Sequence, residues 1–324
     1  GTAQVIISGY KIEFVMTRKE SYHDKSRKPD VAPSTITEDI YRRDFTINAL
    51  YYNIRDFTLV DFVDGMSDIK SAHIRIIGDP EKRYREDPVR MIRAIRFAAK
   101  LGMTISDETA TPIKALGELI YQTPPSRLFD EIIKLFHTGH ATNVIPLLDQ
   151  FGLLQVLFPE THEAVSADNR LYAMLLQACR DTDKRVAMDK PISIGFLYAI
   201  LLWPAIEMRW QEYFDNQIPE MHALYQACRD VLQHQTDIIN ISKRFMHQIH
   251  DIWHLQYRLM RQNPSSVFRC LANTRFRAAF DLLCLRAKVN PALKPLAKWW
   301  TTFQTLDDDG MQDALTQMPK TPLH

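Results

Sequence analysis

The residues best suited to chemistry lie between Tyr84 and Leu101, where Glu86 and Asp87 precede a run carrying Arg90, Arg93 and Arg96. Asp87 can accept from the free amides of a first helical turn, and Pro88 suits the first helical position. From Val89 to Leu101 there is no Gly or Pro, and good helix formers dominate. At about 100° per residue the arginines spread over an arc of about 120°. Glu86 stands at the N-terminal end of that arc, and Met91, Ile95 and Ala98 back it. One reading is a solvated face with a Glu86–Arg90 pair one turn apart. The other starts from repulsion among guanidiniums repeated every three residues with few acids nearby. An anion laid across such a row relieves the repulsion, and Arg suits forked contacts with phosphate or a base edge. The stretch reads first as an anion or nucleotide site.

A second concentration is Arg42-Arg43-Asp44, followed by Thr46 and Asn48. Asp44 beside two arginines stays ionised, which suits metal ligation or the holding of an arginine; a structural Arg–Asp pair is the plainer alternative. Glu13 is a lone carboxylate in strand-like sequence, for which solvent exposure is the default. Arg127, Glu131 and Lys134 fall at i, i+4 and i+7, as a salt-bridged face or as contacts to backbone phosphates. His247, His250 and His254 share a helical face, but a metal there needs further ligands that the sequence does not supply nearby. Trp299-Trp300 with Phe303 reads as core rather than as a base-stacking platform. No P-loop and no GxGxxG is present.

These residues need elements to position them. At 324 residues, with 46% hydrophobic and 24% charged content and a net charge of +1, the chain can bury a sizeable core and carries no global basic field. Any nucleic-acid binding must come from local patches. Cys179, Cys228, Cys270 and Cys284 lie far apart without a CxxC pair, which suits a reducing cytoplasm. The run Ile192 to Trp203 is too short to span a bilayer. Residues 2–17 read as a β-hairpin turning at Ser8-Gly9, with Glu13 on its second strand. The polar stretch 18–35, which includes Asp24 and Lys25, reads as a loop. A helix is expected over 37–50, then a strand pair near 50–53 and 58–62, the Asp64-Gly65 turn, and a last strand over 73–77. From Pro80 onward the pattern is helix after helix, broken by Pro and Gly.

RRDFTINAL, the DFVDGMSDIK turn and YREDPVRMIRAIRFAAKL occur here in one order and spacing. With them the chain resembles the bacterial poly(A) polymerase and CCA-adding enzyme family of class II nucleotidyltransferases. Over DIWHLQYRLMR, FRAAFDLLCLRA and LAKWWTTFQ it is similar to the poly(A)-adding branch. The resemblance implies an α+β fold: a partial nucleotidyltransferase α/β head over residues 1–79, a helical neck with the nucleotide-recognition motif over 80–138, and a predominantly α-helical body and tail, RNA-binding, over 139–324. It implies an ATP:RNA adenylyltransferase that adds 3′ poly(A) tails in the cytoplasm, with ATP as substrate, the RNA 3′ end as partner and Mg²⁺ as cofactor. By the same resemblance Asp44 matches a catalytic aspartate, and Glu13 matches an acidic residue near the catalytic centre. Arg43, Glu86, Asp87, Arg90, Arg93 and Arg96 match nucleotide-binding positions. The family's G-x-x-R-D motif and paired metal-binding aspartates are expected just ahead of the strand that opens here and are not in these residues. A chain without them is expected to be inactive by itself. The alternatives are a CCA-adding tRNA nucleotidyltransferase and a non-catalytic RNA-binding fragment.

Overall fold

The computed structural model describes residues 2–23, 26–261 and 263–319, with the backbone alone described over 18–33. Asp24, Lys25 and Gln262 lie outside the described residues. The chain forms two compact units, residues 1–122 and 123–324.

In the first unit, β1 (Thr2–Ile7) and β2 (Tyr10–Val15) form the expected antiparallel hairpin. Ser8 (φ 50°) and Gly9 (φ 81°) both take the left-handed conformation of a tight hairpin turn. The stretch read as a loop is instead a second antiparallel pair, β3 (Arg18–His23) and β4 (Ser26–Pro33). It is continued by Ser34 N donating to Thr17 O at 3.2 Å. Its pairing is made by backbone hydrogen bonds, and a polar ribbon without apolar alternation gives no period-2 signal.

The helix expected over 37–50 also changes. α1 covers only Ile36–Tyr41, opened by a reciprocal capping box between Thr35 and Glu38. The chain then leaves helical geometry, because Phe45 is fully buried and bridges Ile76, and Thr46 N donates to Arg75 O. One turn of 3₁₀ helix follows over Thr46–Asn48. β5 (Tyr51–Asn53) pairs with β6 (Thr58–Val60), and α2 spans Gly65–Lys70. β7 (His73–Ile74) runs parallel to β8 (Thr104–Ile105), so the last expected strand is shorter and has a partner some thirty residues on.

Between them lie α3 (Pro80–Glu86) and α4 (Val89–Leu101), and α5 (Asp107–Leu116) follows. Asp79 caps α3 by accepting from Lys82 N, and Pro80 takes the first turn. α4 ends at Gly102, whose φ of 64° is the left-handed cap that favours glycine. The side of α4 carrying Met91, Ile92, Ala94, Ile95, Ala98 and Ala99 is buried.

The second unit is helical from Pro125–Phe136 through Asp308–Thr316. Its core includes Trp203, Trp210, Trp253 and Trp300, each fully buried with its indole N–H satisfied by Glu207, or by the carbonyls of Glu220, Ala199 and Leu259. Trp299 stacks on Phe303 at 4.5 Å and donates to Ala314 O, in line with core packing.

Candidate functional site

The site begins with the backbone on either side of Asp44. Asp44 O accepts from Ile77 N at 3.0 Å, and Thr46 N donates to Arg75 O at 3.0 Å. The DFVDG turn supplies the support beneath. Asp61 accepts from the amides of Val63, Gly65 and Met66, which folds the chain into α2. Burial pushes the Asp61 carboxyl up, but these three amides together with that of Asp64 outweigh it and hold the carboxyl below its ordinary pKa. α2 then places Asp68 against Thr46 Oγ1 at 2.7 Å and Arg75 Nε at 3.2 Å.

With its backbone fixed, the half-buried Asp44 carboxylate reaches α4. Oδ1 accepts from Arg90 Nε at 2.8 Å and Oδ2 from Arg93 Nη1 at 2.7 Å. Burial alone pushes the Asp44 carboxyl up; the guanidiniums of Arg93 and Arg90 overcome this and leave it below the usual carboxylate value. Arg90 Nη1 also donates to Glu86 Oε2 at 3.1 Å and to Arg83 O at 2.8 Å. Arg90 is thus a buried cation, 3% exposed, held among two acids and a carbonyl. Arg93 keeps 26% exposure and Glu86 25%. Arg96 is half-buried with its guanidinium 5.0 Å from the Phe97 ring centroid. Asp87 is 8% exposed, in an extended link between α3 and α4, and accepts from Val89 N at 3.3 Å.

The sequence-selected residues therefore divide. Asp44, Glu86, Arg90 and Arg93 meet in one network, Asp87 starts the helix that carries it, and Arg96 continues the row one turn on. Arg43 belongs to a neighbouring cluster. Its Nε and Nη2 donate to Asp39 at 3.2 Å, Nη1 donates to Asn48 O at 2.6 Å, and Nη2 also reaches Tyr51 Oη at 2.8 Å. Asp39, buried at 2% exposure, accepts from Arg42 and Tyr51 as well. Arg43 lies past the end of α1, outside any helix, rather than within the helix expected over 37–50. Glu13 lies on β2 opposite Gln4, exposed and ion-paired with Lys11 at 2.8 Å. Spacing did not point to Asp39 or Arg83, although Asp39 stands four residues before Arg43 and Arg83 three before Glu86, both pairing distances on a helix.

The donor chemistry does not suit a divalent cation. Both Asp44 oxygens and Glu86 Oε2 are taken by guanidiniums, and no group of three or more His, Cys, Asp or Glu among the described residues could hold a metal ion. In the second unit, the rings of His250 and His254 lie 5.4 Å apart, and Tyr225 packs on His254 at 4.2 Å. Burial lowers both imidazoles, and His254 falls to about 4. Glu131 is buried and pairs with Lys134 at 3.1 Å, so this part of the Arg127–Lys134 face is a salt bridge.

Three family descriptions match the chain: "Poly A polymerase head domain" over residues 1–75, "Probable RNA and SrmB- binding site of polymerase A" over 102–165, and "Polymerase A arginine-rich C-terminus" over 216–323. The poly(A) polymerase I of Escherichia coli O6:H1 is 42% identical over 293 residues, covering 88% of this chain and 63% of that protein. That of Haemophilus influenzae is 39% identical over 274 residues, covering 83% of this chain and 61% of that protein. The chain thus spans a little under two thirds of these relatives. A solved structure of a tRNA-processing enzyme in an apo form shares the fold with a TM-score of 0.66, at 20% identity, over 98% of this chain and 79% of that one. Among the described residues no helix is long and apolar enough to cross a membrane.

Proposed function

Because the chain belongs to the bacterial poly(A) polymerase and CCA-adding enzyme family, we propose that it binds ATP at the α4 arginine row and serves adenylate transfer onto an RNA 3′ end in the cytoplasm. The observation that carries this reading is the pairing of Asp44 with Arg90 and Arg93, which fixes a guanidinium row beside Glu86 and Asp87. In this reading Arg93 and Arg96 meet the phosphates, where forked charged contacts are strongest. Glu86 and Asp87 offer acceptors to the amino edge of adenine. Arg90, Arg43 and Asp44 hold those groups in register. What such a site supplies to transfer is positioning and charge placement. Mg²⁺ finds no ligand set among the described residues, and the roles assigned here are recognition roles.

Titration of the chain with ATP and with CTP tests the reading. ATP is expected to bind more tightly, and Arg93→Ala to weaken it by about 1–3 kcal/mol, the worth of a lost charged hydrogen bond. An Arg93→Ala chain that binds ATP as the wild type does would refute the assignment. A preference for CTP would favour the CCA-adding branch instead.

A further inference from the structure

Arg83 lies outside the residues selected by motif or spacing, yet it meets Glu86, Arg90 and the backbone just ahead of Asp44. Its Nη2 donates to the carbonyls of Arg42 at 2.9 Å and Arg43 at 2.7 Å, and its Nη1 donates to Glu86 Oε2 at 2.8 Å. Those carbonyls follow directly on α1, where a helix end leaves acceptors without intrahelical partners. A cation there satisfies the acceptors and opposes the negative end of the helix dipole. The next residue is Asp44, whose carbonyl is held from its other side by Ile77 N. Arg83 is also tied to α4, since its own carbonyl accepts from Arg90 Nη1 at 2.8 Å. One side chain, 12% exposed, thus ties the exit of α1 to the start of the arginine row across forty residues of sequence.

The geometry points to Arg83 as the positioning residue of this site: by capping the Arg42 and Arg43 carbonyls it sets the backbone from which the Asp44 carboxylate reaches Arg90 and Arg93. Its guanidinium does not face the ligand, and it acts through Asp44. Glu86 completes the device, because its Oε2 accepts from both Arg83 and Arg90 and offsets the repulsion between two largely buried cations. Lys is a partial substitute, since an ammonium can reach carbonyls but lacks the planar fork that meets two carbonyls and a carboxylate together. This role rests on the ATP-binding reading above.

The test compares Arg83→Met, Arg83→Lys and the surface control Arg85→Met, whose native partner is the exposed Glu81. Amide hydrogen exchange at Thr46 and Ile77 reports the Asp44 backbone, and ATP titration well below each variant's melting temperature reports the site. Arg83→Met is expected to speed both amides and weaken ATP about ten-fold, on the scale of one charged hydrogen bond. Arg83→Lys should recover most of both, and Arg85→Met should move neither. Unchanged exchange in Arg83→Met would overturn the proposal. So would fast exchange with unaltered ATP affinity, which would make Arg83 a helix cap and nothing more. If Arg83→Met does not fold, Arg83→Gln carries the same comparison. A wild-type chain that fails to bind ATP overturns the nucleotide reading itself, and with it the purpose given to Arg83.

Discussion

Replacing Asp44 by Asn removes one negative charge and leaves the shape nearly unchanged. In the native unit both carboxylate oxygens are spent, one on Arg90 Nε at 2.8 Å and the other on Arg93 Nη1 at 2.7 Å. An Asn can accept from one of these donors but turns an amide donor toward the other. Arg90 is 3% exposed and cannot regain water, though it keeps Glu86 and Arg83 O. Breaking a fully buried pair costs about 3–5 kcal/mol. Here Asp44 is 21% exposed and Arg93 26%, so solvent screens part of the loss and about 2–3 kcal/mol remains. For a unit of this size that lowers melting by roughly 10 °C. Urea unfolding followed by proteolysis or exchange within residues 1–122 isolates this unit from the helical one. The pH dependence gives an independent check. Asp44 titrates below its ordinary value in the folded state. Its stabilisation is therefore complete above the unfolded pKa of about 3.9 and is lost as pH falls below that toward the lower folded value. The gap between wild type and Asp44→Asn should stay constant from pH 7 to about 5 and shrink below about 4. A variant as stable as wild type at pH 7 would refute the anchoring argument. So would one that loses ATP binding without losing stability, because Asp44 would then face the ligand.

Two further outcomes follow from the same kind of reasoning. His254 is pushed to about 4 by burial, with the charges of His250 and Arg258 adding to it; the unfolded chain takes up that proton first, so the helical unit should lose stability as pH falls from about 6.5 to about 4. His254→Gln should flatten that slope in thermal melts at pH 7 and pH 5, and an identical slope would sink the argument. A Cβ at Gly65 would collide with Thr46 O, a backbone atom that cannot swing aside. Gly65→Ala should cost about 1–3 kcal/mol by overpacking and speed exchange at Thr46; an unchanged melting temperature would contradict it.

Much of this was legible in the chain alone. The helix formers from Val89 onward and Gly102 after Leu101 dictate α4. Three-residue spacing sets Arg90, Arg93 and Arg96 on one side of it, and Ser8-Gly9 dictates the first hairpin turn. Period and propensity act within a few residues, so a sequence states them openly. The partners of each charge were decided elsewhere. Arg90 could have been a solvated arginine; it is buried because Asp44, 46 residues earlier, is carried to it by the Phe45–Ile76 bridge. Arg43 reads as a ligand contact beside Asp44, yet Asp39, Tyr51 and Asn48 O take up its guanidinium. Arg83 looks like one basic residue in a charged helix until its two carbonyl acceptors are seen across the fold. Helical periodicity fixes the direction a side chain leaves its axis. What meets it there depends on distant backbone, and charge pairing is short-ranged enough that only the folded arrangement can choose the partner.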